Sequence, residues 1–118
     1  MEAGPSDDDP QVRLLERVRG LLHGEPDVRE ITMFGELAVM VNDSMLVAVG
    51  RTGDLLVRVD RTRTPHLLTR PGAARAVMGP GRVMGPSWLR VEAVALDDDA
   101  ELAFWITVAL ERNRANRG

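Results

Sequence analysis

The chain has 118 residues, 44% of them apolar and 28% charged, with a net charge of -3 and no cysteine. That length allows one domain with a real core but not two, and the composition is that of an ordinary globular protein rather than a disordered one. The lack of cysteine excludes disulfides, thiolate metal sites and thiol nucleophiles, and no apolar run approaches the roughly 20 residues of a membrane helix.

Residues 1–8 read as a disordered acidic lead-in. They lack the basic-then-apolar layout of an export signal, which leaves the cytoplasm as the expected compartment. Asp9 before Pro10 is a good helix start, since Asp caps free amides and Pro fits the first helical position. Val12, Leu15, Val18 and Leu22, with Leu14 and Leu21 beside them, make an apolar stripe at helical spacing. Gly24 and Pro26 are the expected stop.

Strands follow. Ile31 and Met33 alternate with polar residues in a strand that ends at Phe34-Gly35. In the next, Leu37, Val39 and Val41 face one way and Ala38 and Met40 the other, so the strand should be interior. Asn42-Asp43-Ser44 is a tight reversal, because Asn and Asp tolerate left-handed backbone angles. Met45, Val47 and Val49 return, Gly50 to Asp54 turns again, and Leu55, Val57 and Val59 form a further strand with Arg58 on its opposite face. Short loops make these neighbours antiparallel.

The stretch 60–87 is less regular. Thr64-Pro65 predicts one helical turn through Leu68, ended by Pro71-Gly72. Ala76-Val77-Met78 and Val83-Met84, set among Gly79-Pro80-Gly81 and Gly85-Pro86, read as loop with at most edge-strand character. A strand from Trp88 alternates Leu89, Val91, Ala93 and Ala95 with Arg90 and Glu92. Asp97-Asp98-Asp99 caps a last helix with a stripe of Leu102, Ile106, Ala109 and Leu110. The expected fold is α+β: an antiparallel meander covered by the N- and C-terminal helices in two layers, one domain over residues 9–113, with 114–118 as a flexible tail.

Charge is unevenly spread. Residues 1–50 carry 4 Arg and 10 acids, residues 51–90 carry 8 Arg and 2 acids, and residues 91–118 carry 3 Arg and 6 acids. Either the acidic ends fold against the basic middle, or the middle meets an anionic partner. The candidate partner or anion-binding residues are Arg51, Arg58, Arg61, Arg63, Arg70, Arg75 and Arg82, whose forked guanidinium groups suit carboxylate or phosphate. All 15 basic residues are arginine, which codon preference explains as well as function does.

No catalytic constellation stands out. His23 and His66 are isolated, so a zinc site is not expected. Asp97 to Asp99 is better explained as a cap than as a metal cluster, and Asp7 to Asp9 lacks EF-hand spacing. Glu36 has no visible nucleophile partner, Ser44 and Ser87 lack a nucleophile elbow, and Gly79-Pro80-Gly81 cannot cradle phosphate. Met33, Met40, Met45, Met78 and Met84 are expected mostly in the core, an adaptable partner surface being the alternative. Trp88 and Trp105 are expected as core anchors.

In their order and spacing, several segments resemble the N-terminal domain family of the bacterial competence regulator TfoX (also called Sxy). They are Met33-Phe34-Gly35 with its strand, the turn at Asn42, Gly53 to Val59, Arg70 to Ala73, and Arg82-Val83-Met84 ahead of Trp88. The similarity covers roughly residues 10–112. Glu36 stands where the family more often has glycine, and Gly85-Pro86-Ser87 replaces a lysine-containing approach to the tryptophan. The resemblance implies a stand-alone member without the C-terminal domain that follows in full-length relatives. It also implies a non-enzymatic regulatory or protein-interaction role without cofactor or metal, and a protein partner for which the transcription machinery is one candidate. The alternative is direct nucleic-acid or small-anion binding through the central arginines. At a pI near 5.3, strong direct DNA binding is not expected. No membrane association is expected. An edge strand in the 75–84 region that could pair across a two-fold makes a homodimer one expectation.

Overall fold

The computed structural model describes residues 9–77 and 81–115. Helix α1 spans Pro10–Leu21, and the Asp9 carboxylate accepts a hydrogen bond from the Gln11 amide at 2.9 Å, as an N-cap should. The helix ends at Leu21, ahead of the expected Gly24 stop, and residues 22–24 form a turn. Strands β1 (Val28–Met33), β2 (Glu36–Val41), β3 (Ser44–Val49) and β4 (Leu55–Arg58) follow in a meander. Each two-residue link in the first two hairpins has positive φ at both central positions: Phe34 and Gly35 at 52° and 82°, Asn42 and Asp43 at 54° and 65°. That is the geometry whose twist matches paired strands.

A 3₁₀ turn (Arg61–Arg63) leads into the one-turn helix α2 (Thr64–Leu67). Two expectations for the next region are corrected. Ala73–Arg75, inside the stretch read as less regular, is a strand, β5; and the strand expected from Trp88 to Ala95 is β6, only Trp88–Val91, after which Ala93–Asp97 coils into a 3₁₀ helix. The long helix α3 spans Asp99–Ala115, with the Ala100 amide donating to the Asp98 carboxylate at 2.8 Å. It takes in Arg114 and Ala115 of the expected tail; residues 116–118 and 1–8 lie outside the described residues.

The sheet is six-stranded and antiparallel throughout, in the order β1-β2-β3-β4-β6-β5. The fold is α+β. On one face, Val39, Val41, Val47, Val49, Leu55, Val57, Leu89 and Val91 pack against Leu14, Leu15 and Val18 of α1 and Leu102, Trp105, Ile106 and Val108 of α3. Trp105 is wholly buried there and anchors the core. A register shift after Val39 sets Val39 against Val47 but Met40 against Met45. The extra residue, Leu46, joins Val47 in the core, and Met45 is turned to the other face.

Arg17 ties α1 to the start of α3 by donating to the Leu96 carbonyl at 2.6 Å and to Asp99 at 2.9 Å. Asn113 of α3 is buried and its Nδ2 donates to the Val41 carbonyl at 3.0 Å.

Candidate functional site

Among the described residues, no helix covers the second face of the sheet. The strand register places Ala38 beside Ala48 and Ala48 beside Leu56 on it, and with Ala76 these form a buried floor. Small side chains leave room above the backbone, and a groove of about 480 Å³ lies there. Met33, Phe34, Met45, Val77 and Met84 rise around it. None of Met33, Met40, Met45 and Met84 is fully buried, so these four line or border the open face instead of filling the core; Met78 lies outside the described residues.

The most exposed apolar group in the fold sits at this groove. Phe34 is 99% accessible, and Ile31 and Met33 on the same edge are each 40% accessible. A phenylalanine with φ of 52° is uncommon, because the left-handed region crowds its Cβ. Gly35, the second turn residue, needs its own φ of 82° and also lies under the Arg51 guanidinium, where a Cβ would collide.

One wall of the groove is polar. Arg90 Nη1 donates to Asp54 Oδ2 at 2.7 Å and lies 3.3 Å from Glu36 Oε2. Thr52 Oγ1 donates to the other Asp54 oxygen at 2.8 Å. Gly50 makes this possible, since a Cβ at that position would strike the folded-back Asp54 carboxylate. Burial pushes the Asp54 carboxyl up, but the hydrogen bonds from Thr52 and Arg90 and the Arg90 charge outweigh it and hold the group below the usual carboxylate range.

The seven arginines singled out from the sequence do not gather in one patch. Arg63 donates to Glu111 at 2.8 Å, and Arg70 grips Glu101 through two bonds of 2.7 and 2.9 Å while stacking on Phe104, so both are engaged with α3 on the helical side. These two contacts are of the kind expected if an acidic end folds against the basic middle. Arg58 borders the open face, and Arg51 and Arg82 each neighbour a segment that lines its groove. Arg51 lies against Gly35, Arg58 stacks over Trp88 at 5.2 Å, and Arg82 precedes Met84 by two residues. Exposed Arg75 is on the adjoining edge strand β5, and exposed Arg61 is on the 3₁₀ turn. Arg58 also approaches Arg112; burial, and then repulsion from Arg58, lowers the Arg112 pKa, with Asp60 opposing.

Arg90, the cation of the polar wall, was not among those seven. Its alternation with Leu89 and Val91 marked it only as the polar side of a strand, and its partners lie far away in sequence, Asp54 being 36 positions distant. His23 and His66 are exposed and separate. Among the described residues no group of three or more His, Cys, Asp or Glu side chains could hold a metal ion, and no helix is long and apolar enough to cross a membrane.

Comparison with curated proteins and with solved structures finds no match. The family model of the TfoX N-terminal domain does match, over residues 20–113, a span that contains all six strands, the groove they carry and nearly all of α3; the chain belongs to the TfoX N-terminal domain family.

Proposed function

We propose that this chain is a non-enzymatic regulatory domain that acts by docking another protein on the open face of its sheet. Membership of the TfoX N-terminal domain family supports the regulatory part of this reading. The observation that carries the docking part is the asymmetry of the sheet: one face is sealed by α1 and α3, while the other offers an apolar groove with Phe34 almost fully exposed at its end. Monomeric soluble proteins seldom display large contiguous apolar patches without a use for them. Methionines around the groove supply an adaptable lining of the kind that binding surfaces exploit.

The polar wall favours binding over chemistry. Asp54 and Glu36 both face Arg90, and against the cost of burial the hydrogen bonds from Thr52 and Arg90 hold the Asp54 carboxyl below its usual range. A carboxylate held in that state is poorly suited to take and return a proton near neutral pH. The partner would be met in the cytoplasm, with components of the transcription machinery as the first class to examine.

The test is affinity capture from the source cell with the wild-type chain beside Phe34→Asn, a turn-compatible change at a fully exposed position. Recovery of a partner by the wild type and its loss with Phe34→Asn, at unchanged circular dichroism, is the expected result. A set of captured proteins identical for both chains would refute docking at this face.

A further inference from the structure

We infer that the segment seated on the open sheet face is acidic, placing apolar anchors in the groove and carboxylates on the arginines around it. This rests on the docking role proposed above and adds the chemistry of the partner. Charge complementarity carries it. On that face Arg90 is offset by Asp54 and Glu36, and Arg29 is paired with Asp43 at 2.7 Å. Arg51, Arg58 and Arg82 have no carboxylate within ion-pair distance among the described residues, and they stand at different points around the groove.

The helical side of the molecule behaves differently. There Arg17, Arg19, Arg63, Arg70 and Arg114 each meet a carboxylate of the same chain, with exposed Arg13 of α1 an exception among the described residues. A protein that is acidic overall thus leaves unpaired arginines beside this apolar groove. Such an arrangement attracts a negatively charged approach and penalises a basic one, since like charges brought together over a desolvated groove are repelled.

The geometry also limits the partner's anchors. A floor of Ala38, Ala48 and Ala76 under flexible methionines accepts side chains without a branch at Cβ, such as Leu, Met or Phe. Arg51 and Arg58 lie at opposite ends of the groove's surroundings, one beside the β1–β2 turn and the other beside Trp88 at the start of β6. The acidic residues are therefore expected on both flanks of the anchors instead of in one block.

A random dodecapeptide display library, selected on the whole chain, provides the test. Enriched sequences should combine two or more Leu, Met or Phe residues with a net negative charge. A synthetic copy of an enriched peptide should bind at least about tenfold more weakly to the exposed-site double variant Arg51→Glu/Arg82→Glu. Arg63→Glu, on the helical side, should change its binding less than about twofold. Raising salt from about 50 to about 300 mM should weaken it severalfold, as screened ion pairs require.

Enriched peptides that are neutral or basic, yet lost with Phe34→Asn, would overturn the acidic assignment and leave the docking face standing. Enrichment that ignores Phe34→Asn, or none at all, would overturn both. A concentration-dependent dimer in sedimentation that Phe34→Asn dissolves would give the face to a second copy and equally overturn this inference.

Discussion

Phe34 and Asn42 occupy the same position in two consecutive hairpin turns, with φ of 52° and 54°, although only Asn is suited to it. Asn tolerates left-handed angles through its short polar side chain, whereas Phe has a crowded Cβ and leaves its whole ring in water. The fold gains nothing visible from this choice, so the ring is best understood as kept for contact with something else. Phe34→Asn should stabilise the free domain by about 0.5–1 kcal/mol, relieving left-handed strain. For a chain of this size that is a rise of about 2–5 °C in Tm. Thermal unfolding of the two chains checks it: a fall in Tm would mean that Phe34 is structural.

Asp54 links the groove to acid stability. Its folded-state pKa is depressed from an ordinary value of 3.8, so its contribution is present above that value and is lost as pH falls through the lower, folded one. Glu30, held down by Arg19, and Glu101, held down by Arg70, act in the same direction from 4.5. The domain should therefore lose stability progressively below about pH 4.5. Asp54→Asn should cost about 1–3 kcal/mol at pH 7, as expected for a half-buried charge-assisted bond. The difference from wild type should shrink as pH falls from about 4 toward about 2. Urea titrations at neutral pH and over that fall read both quantities.

Arg70 is held by two kinds of contact at once, a bidentate bond to Glu101 and a guanidinium 3.6 Å from the centre of the Phe104 ring. Lysine keeps the charge but loses the fork and the stack. Arg70→Lys should cost about 1 kcal/mol, a value kept small because the pair is partly exposed. Combined with Glu101→Gln, the loss should fall short of the sum by about 0.5 kcal/mol or more, since the two residues share one interaction. Strict additivity in chemical denaturation would show that the observed geometry contributes nothing in solution.

Much of this architecture is legible in the chain because local signals agree. Asp9-Pro10 starts α1, Asn42-Asp43 reverses the chain, and the alternation of Leu37, Val39 and Val41 matches the face they bury. The signals fail where backbone pairing acts without a side-chain pattern. Ala73–Arg75 is a strand through its pairing with β6 alone, and Ala93 and Ala95 mimic strand alternation while coiling into a 3₁₀ turn. The bulge at Leu46 is also silent, since every residue from Met45 to Val49 is apolar and no period can tell which is extra. The groove depends on that register, as does the meeting of Arg90 with Glu36 and Asp54, so neither could be read before the strands were paired.

Gln11 connects the helical layer to the turn that presents Phe34. Its Nε2 donates at 3.0 Å to the Gly35 carbonyl and at 3.0 Å to the Val49 carbonyl, so a single amide spans the β1–β2 turn and the end of β3. Gln11→Ala would leave both carbonyls to water, at a cost of about 1–2 kcal/mol. Because the loss is local, amide hydrogen exchange should quicken for Met33 to Glu36 while the β4–β6 pairing stays protected. Gln11→Glu separates the donor from the bulk of the side chain. An ionised carboxylate cannot donate and would face two carbonyl oxygens, so this variant should be less stable than Gln11→Ala at pH 7. At pH 3, where the carboxyl is largely protonated and regains one donor, the order should reverse or close. Equal stability of the two variants at pH 7, with unaltered exchange at the turn, would show that Gln11 does not hold Phe34 in place.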